Sequence, residues 1–573
     1  MKKETLKSKI IKLKGQLDFD RSSFMSHWKD LGDFILPRRP QFNLTDGNRG
    51  DRRNQKIIDS TATIAARTQR AGMMGGITSP ARPWFQLTTN DPELAEFGPV
   101  KDWLHATTRR METVFLRSNL YKTLPVVYGD IGVFATSALF IEEDFEDVVR
   151  FYNFPIGSYW LSTSPTGTVN TFIREFRYTV KQVVEKFGMT RGEDEIDWSR
   201  ISPSVKAKWE SGQKEEWIDL LHAICPNEDY DPNRIESKFK RFKSVYIEAS
   251  SDTDNVLREE GYNLFPVMAP RWEVSGNDAY GTDCPGMVAL GDIKALQVMQ
   301  KRKSQAVEKM VNPPMVAPTS LKNVKASILP SDITYVDERE GIKGFRPAHE
   351  VNINISYLTA DIAEHQERIN RAFYADLFLM LALSDRREMT AREVEARHEE
   401  KLLVLGPVLE QLNQDLLDPL IDNTFEIMLR QGLIPPPPEE VQGEKLKVQY
   451  VSIMAQAQKL SGIASIERFA SSVTRIAAET QNPAILDKVD MDQLIDEYGS
   501  ILSVPPRVIR SDEAVEQIRD ARASQQQSQI QAEDAMRTAS AAKSLSETDI
   551  NKDSALREIL ARSRAGDLID RGE

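Results

Sequence analysis

The chain has 573 residues, a mass of 64.9 kDa and a formal charge of −12, with 40% hydrophobic and 28% charged residues. This length supplies roughly three or four folding units, and eight Trp, 23 Phe and 14 Tyr exclude a disordered chain. No apolar run of about 18–20 residues is present to span a membrane, Cys225 and Cys284 alone cannot build a disulfide scaffold, and the acidic balance disfavours a protein that coats nucleic acid.

The first element is Lys-rich. Ile10, Ile11, Leu13 and Leu17 fall near helical spacing, so Met1 to Leu17 reads as a short amphipathic helix rather than a signal peptide. The expected compartment is the cytoplasm, or an assembly built there. Residues from about 20 to 275 mix helices and strands, and all eight Trp lie before residue 273. Asp59-Ser60 caps a helix through Ile64, Ala65 and Met73, which Gly75-Gly76 should end. A proline-stiffened turn, Thr78 to Trp84, leads into Phe85-Gln86-Leu87-Thr88. Val148 to Tyr152 and Thr171 to Phe176 read as strands, and Trp217 to Ile224 and Val245-Tyr246-Ile247 continue the pattern.

A different style begins near residue 285. Leu290 to Val311 reads as a helix with Ile293, Leu296, Met299, Val307, Met310 and Val311 on one side, interrupted by Gln300 and Lys303. Pro313-Pro314 stops it. Residues 315–352 are punctuated by Pro and Gly and strand-like at Ile333 to Val336. A second helix runs from about Ser356 to Leu381. The polar break Ser384-Asp385-Arg386-Arg387 precedes a long helix from Thr390 to about Arg430. Its leucines 402, 405, 409, 412, 416 and 420 recur at helical spacing. Gly406-Pro407 and Pro419 should kink it; Gly432 and Pro435 to Pro438 end it. Residues 446–505 read as several short helices. The chain beyond Pro505-Pro506 is a polar helix or a mobile tail with no aromatic residue.

Nucleotide and catalytic signatures are absent. No phosphate-binding glycine loop occurs, and His398-Glu399 lacks the second His of a zinc-protease helix because Leu402 stands there. No enzyme, cofactor or metal is expected. The helix near 290–311 does concentrate charge. Lys294, Lys301, Arg302, Gln305 and Lys309 fall opposite its apolar stripe. They are either a solvated face or a basic lining turned toward phosphate. Asp385-Arg386-Arg387 leaves the same two readings open.

The order of these elements resembles the head-to-tail connector, or portal, proteins of podovirus-type bacteriophages. Four blocks carry the resemblance in sequence. They are Asp59 to Arg67 with Ala71 to Phe85, Ala289 to Lys303, Val311-Asn312-Pro313-Pro314-Met315, and Met389-Thr390-Ala391-Arg392-Glu393-Val394. It covers residues 20 to 505.

The resemblance implies an α+β, mainly helical, ring-forming fold of twelve subunits at one capsid vertex. Residues 1–19 would precede a mixed wing of 20–287. A first stem helix would follow at 288–311, a clip at 312–353, a second stem helix at 354–381 and a tunnel loop at 382–389. The long kinked wing helix and its Pro-rich turn would fill 390–445, the crown 446–505, and a helical barrel or mobile tail 506–573. Double-stranded DNA would pass along Lys294, Lys301, Arg302, Gln305 and Lys309, and past the loop Ser384, Asp385, Arg386 and Arg387. Terminase large subunit and tail adaptor would dock on Ser331, Asp332, Asp337, Glu338, Arg339 and Glu340. Major capsid and scaffolding proteins are further implied partners, with no membrane, in a virion assembled in the host cytoplasm. The rival readings are another virion protein, such as an internal scaffold or tail component, and a nuclease with dispersed carboxylates.

Overall fold

Helix α1 (Leu6–Phe34) is 29 residues long, about twice the expected length. Its charged middle is no barrier because Arg21 is buried with partners. The Arg21 guanidinium donates to the carbonyls of Gly157 (2.7 Å) and Tyr159 (3.0 Å) and lies 4.1 Å from the Trp160 ring centre. The computed structural model describes residues 5–45, 51–91, 94–95, 97–189, 195–250, 254–312, 315–316, 346–347, 355–383, 405–443, 446–451, short pieces between 469 and 495, and 512–546. The chain forms two units, Met1–Ala95 with Pro99–Asn482, and Glu96–Gly98 with Pro483–Glu573.

In the first unit α2 (Thr61–Ile77) starts where expected but runs through Gly75-Gly76 and ends at Thr78. Gly76 is buried there, so it serves packing rather than termination. Next come β1 (Phe85–Thr89), α3 (Gly98–Arg117) and α4 (Leu120–Phe134). Strands β2 (Ala138–Asp144) and β3 (Val148–Phe154) form an antiparallel hairpin. A five-stranded antiparallel meander follows, built from β4 (Tyr159–Thr163), β5 (Val169–Thr179), β6 (Trp217–Pro226), β7 (Phe242–Glu248) and β8 (Val256–Tyr262). Helices α5 (Val180–Phe187) and α6 (Pro203–Glu210) lie between β5 and β6 in the chain. Strand β9 (Val267–Met268) joins the hairpin on the β2 side.

The meander is buried on both faces, and alternation along β6 shows how. Leu221 and Ala223 face α1, where Ile10, Leu17, Trp160 and Ile247 pack. Leu220 meets Val183, Val184 and Val205 of α5 and α6. Ile224 enters the largest core with Trp28, Phe134, Phe140, Phe172, Tyr280 and Leu296. Each such side chain contributes about 1.5–3 kcal/mol on burial. His222, on the same strand, is fully buried and stacks on Tyr246 at 3.8 Å. Burial and the nearby Arg174, Lys186 and Arg258 push its pKa well down, so it stays neutral. Both cysteines are free; Cys284 is buried and Cys225 half-buried.

Helix α7 (Pro285–Val311) leads to the short antiparallel pair β10 (Met315–Val316) and β11 (Arg346–Pro347). The single helix expected from Ser356 to Leu381 is two, α8 (Ile355–Ala372) and α9 (Ala375–Leu383). Tyr374 breaks them with φ of 53°, a left-handed conformation that ends the first helix. The described part of the long Leu-striped helix comprises α10 (Gly406–Leu412), a π-turn (Asn413–Leu417) and α11 (Asp418–Arg430). Pro419 has no N–H to give, and just before it the Asp418 N–H reaches back to Asn413. The ladder slips by one residue instead of breaking. Gly432, with φ of 70°, ends the segment as expected.

Residues 446–450 correct another expectation. They form β12 (Leu446–Tyr450), not a helix, and pair antiparallel with β1 from Phe85↔Tyr450 to Thr89↔Leu446. In the second unit α12 (Asp512–Ser546) is a 35-residue helix, exposed over nearly all of its described side chains. The mixture of helices and antiparallel sheets agrees with the expected α+β class.

Candidate functional site

Helix α7 starts with Pro285 in its first turn, where a missing N–H costs nothing. Its 27 residues span about 40 Å. Ala289, Leu290, Ile293 and Leu296 are buried, so the N-terminal half belongs to the core. Beyond Met299 the expected apolar stripe is not covered: Met310 is 48% exposed and Val311 81%. The C-terminal half of α7 and the start of α8 therefore make an arm whose sides are open in one chain. Tyr357 on α8 is also 77% exposed.

The two helices are tied at the base of the arm. Asp292 Oδ1 lies 2.8 Å from His365 Nδ1 and 3.7 Å from Arg368. Asp59, at the entrance to α2, is a hub for three helices. Its Oδ1 accepts from the Thr61 N–H (2.8 Å), and its Oδ2 from Gln300 (2.9 Å) on α7 and Gln366 (2.8 Å) on α8. Gln297 closes the hub by accepting from the N–H groups of Ile58 (2.6 Å) and Asp59 (2.8 Å). Gln300 thus interrupts the apolar stripe because it has a carboxylate to hold.

Burial works to raise the Asp59 pKa, but the bonds from Thr61, Gln366 and Gln300 outweigh it, and the carboxyl sits below its ordinary value. A lowered folded pKa stabilises above the unfolded value, about 4, and that stability is lost as pH falls through the folded value. Wild type is therefore expected to exceed Asp59→Asn in unfolding midpoint at neutral pH, with the gap closing in acid. A gap that stays constant with pH contradicts the charged hub.

The five candidate lining residues separate into two groups. Lys294 Nζ is 2.6 Å from Asp30 Oδ2 and lies over the Phe34 ring, so it braces α7 against α1. Lys301, Arg302, Gln305 and Lys309 are exposed along the open half of the helix. The three cations have no carboxylate partner among the described residues. Spacings of four and eight keep Lys301, Gln305 and Lys309 on one side. Ser384 to Arg387 and the candidates Ser331, Asp332, Asp337, Glu338, Arg339 and Glu340 lie outside the described residues.

Asp30, Gln297 and Gln366 escape a reading from sequence, and Asp59 reads there only as a helix cap, not as the acceptor for Gln300 and Gln366. Their partners are distant in the chain, and the one local sign was the polar break at Gln300. Among the described residues no group of His, Cys, Asp or Glu is placed to hold a metal. No described helix is long and apolar enough to cross a membrane.

Residues 7–509 match the family model for bacteriophage head to tail connecting proteins. The chain is 48% identical over 556 residues to the portal protein of Salmonella phage epsilon15, covering 97% of this chain and 98% of that one. It is 42% identical over 559 residues to the probable portal protein of Bordetella phage BPP-1, covering 98% and 99%. A match of this extent places the chain in the bacteriophage head-to-tail connecting, or portal, protein family.

Proposed function

We propose that twelve copies close into a ring at one vertex of the phage head, with double-stranded DNA moving through the centre during packaging and ejection. The end-to-end likeness to portal proteins carries this reading. As a connector the chain is a structural virion protein and does no bond chemistry. The open half of α7, with α8, would form the stem, and Lys301, Arg302, Gln305 and Lys309 would face the channel. Residues 312–353 would be the clip that receives terminase and tail adaptor, and residues 382–389 the tunnel loop. The wing would comprise 20–287 with part of 390–445, and the crown 446–505. A polar helix such as α12 gains little by standing alone, which supports a barrel of neighbouring copies over 506–573.

A conduit must not hold its cargo. Each phosphate neutralised by Lys or Arg adds salt-dependent affinity, so an acidic chain with few channel cations lets DNA slide. No base readout is expected. Lys301→Glu with Arg302→Glu should leave rings intact in electron micrographs and impair packaging or retention of DNA. Unchanged packaging and retention would remove these residues from the channel. Filaments or monomers in place of closed rings would overturn the ring itself.

A further inference from the structure

Nothing in the sequence between Ile355 and Leu383 asks for a break. The segment holds no glycine and no proline, and Ala372, Ala375, Leu377 and Leu379 flank the junction with strong helix formers. Yet α8 and α9 part at Tyr374, whose φ is 53°. Left-handed backbone is disfavoured for a residue with a Cβ, and most of all for a bulky one; Gly or Asn usually takes such a place. The Tyr374 N–H donates to the Arg371 carbonyl at 3.0 Å, a tightened last turn, and the Tyr374 carbonyl accepts from the Phe378 N–H at 3.2 Å to start α9. In a continuous helix the N–H groups of Ala375, Asp376 and Leu377 would bond the carbonyls of Arg371, Ala372 and Phe373. Local preference therefore favours one unbroken helix from Ile355 to Leu383.

Two contacts from distant parts of the chain hold the break in place. Tyr374 stacks on Trp272, with ring centres 6.3 Å apart. Trp272 is buried, and its N–H donates to the Ala135 carbonyl at 2.9 Å, so it is fixed to the body. Four residues on, Phe378 seats against α2 in the notch left by Gly72, where an added Cβ would fall on its Cβ, Cγ and Cδ1 atoms. Ala375 and Leu377 are buried beside it, while Leu379 is 49% exposed. Strained backbone persists where the surrounding structure over-determines it. Here Trp272 and the Gly72 notch supply what the local sequence does not.

We propose that α8 and α9 form a latch with two positions: bent, with Phe378 in the Gly72 notch, and straight, with Tyr374 helical and the two helices continuous. Local helix preference and tertiary contact pull in opposite directions, which makes the junction a two-state element. Straightening turns α9 onto the axis of α8 and redirects the chain that leaves Leu383. It also takes Leu377 and Phe378 out of their packing, so the bent position dominates while the notch is open. Ile369 and Phe373, both buried in the main core, keep the end of α8 anchored in either position. The latch lies within one chain and stands whether or not copies close into a ring.

The test places nitroxide labels at Tyr357→Cys and Leu379→Cys, both exposed positions, in a full chain carrying Cys225→Ser and Cys284→Ser. Labelled chains are mixed with an excess of unlabelled ones, and pulsed electron paramagnetic resonance reads the distance within a chain. On a continuous helix the two positions would lie about 33 Å apart; the bend at Tyr374 shortens this. The otherwise unaltered chain should give the shorter distance. Gly72→Val fills the notch and should bring up a component near 33 Å, a rise of about ten-fold or more in the straight fraction. Adding Tyr374→Gly should take that component away again, because glycine adopts left-handed backbone freely and weakens a continuous helix. Phe378→Ala removes the latching ring without adding bulk and should also produce the 33 Å component, which keeps the test open if Gly72→Val does not fold. A distance unchanged in both variants, or a broad spread with no component near 33 Å, overturns the latch.

Discussion

Replacing Arg271 with Ala is expected to destabilise the first unit by about 3–5 kcal/mol, the cost of stranding one member of a buried ion pair. Its guanidinium makes two bonds to Asp415, at 2.9 and 3.0 Å, with side chains only 4% and 10% exposed. It also donates to the carbonyls of Asp278 (3.0 Å) and Gly167 (3.1 Å). One side chain therefore joins the π-turn before α11 to two loops of the body. Arg271→Lys should rescue little, because an ammonium cannot reproduce the planar fork. Arg271→Met with Asp415→Leu should recover much of the loss, since no buried charge is left unpaired. Denaturant unfolding followed by tryptophan fluorescence measures all three. A loss below about 1 kcal/mol for Arg271→Ala would mean that the pair behaves like a surface bridge.

Gly72→Val is the second large effect, about 1–3 kcal/mol from overpacking. Gly72 lies on α2 against α9, and an added Cβ would fall inside the Phe378 side chain. Phe378 is itself 2% exposed, and the atoms in the way are its Cβ, Cγ and Cδ1, not the far end of a flexible side chain. The neighbouring Gly75 is the control, because nothing lies within 4 Å of a Cβ built there. Gly75→Ala should be neutral or slightly stabilising, since Ala suits a helix interior better than Gly. Equal midpoint losses for Gly72→Val and Gly75→Ala would show that helix propensity, not the contact with Phe378, decides the outcome.

These two sites also show what the sequence could reveal. Gly72 sits in a block that supports the family resemblance, yet nothing local distinguishes it from Gly75. The difference is a phenylalanine three hundred residues away. Strands such as Val148 to Tyr152 and Val245 to Ile247 were legible because alternation is a local property. The full length of α1 was not, because Arg21 counts as a surface residue until Gly157, Tyr159 and Trp160 are seen around it. Likewise the sequence shows Lys294 as one cation among five on α7. Only Asp30, on α1, separates it from Lys301, Arg302 and Lys309. Ladder slippage at Pro419 was read as a kink, since the proline reports a missing donor but not how the ladder adjusts.

The pairing of β1 with β12 has a consequence for synthesis. Phe85 to Thr89 leave the ribosome early, and Leu446 to Tyr450 much later. At about 5–20 residues per second the early strand waits tens of seconds with its edge open. An unpaired edge is a template for any other strand, and nascent chains on one message offer many. The pairing that covers this edge therefore waits on synthesis of residues 446–450, and synthesis, rather than local folding speed, sets when the edge of β1 is closed.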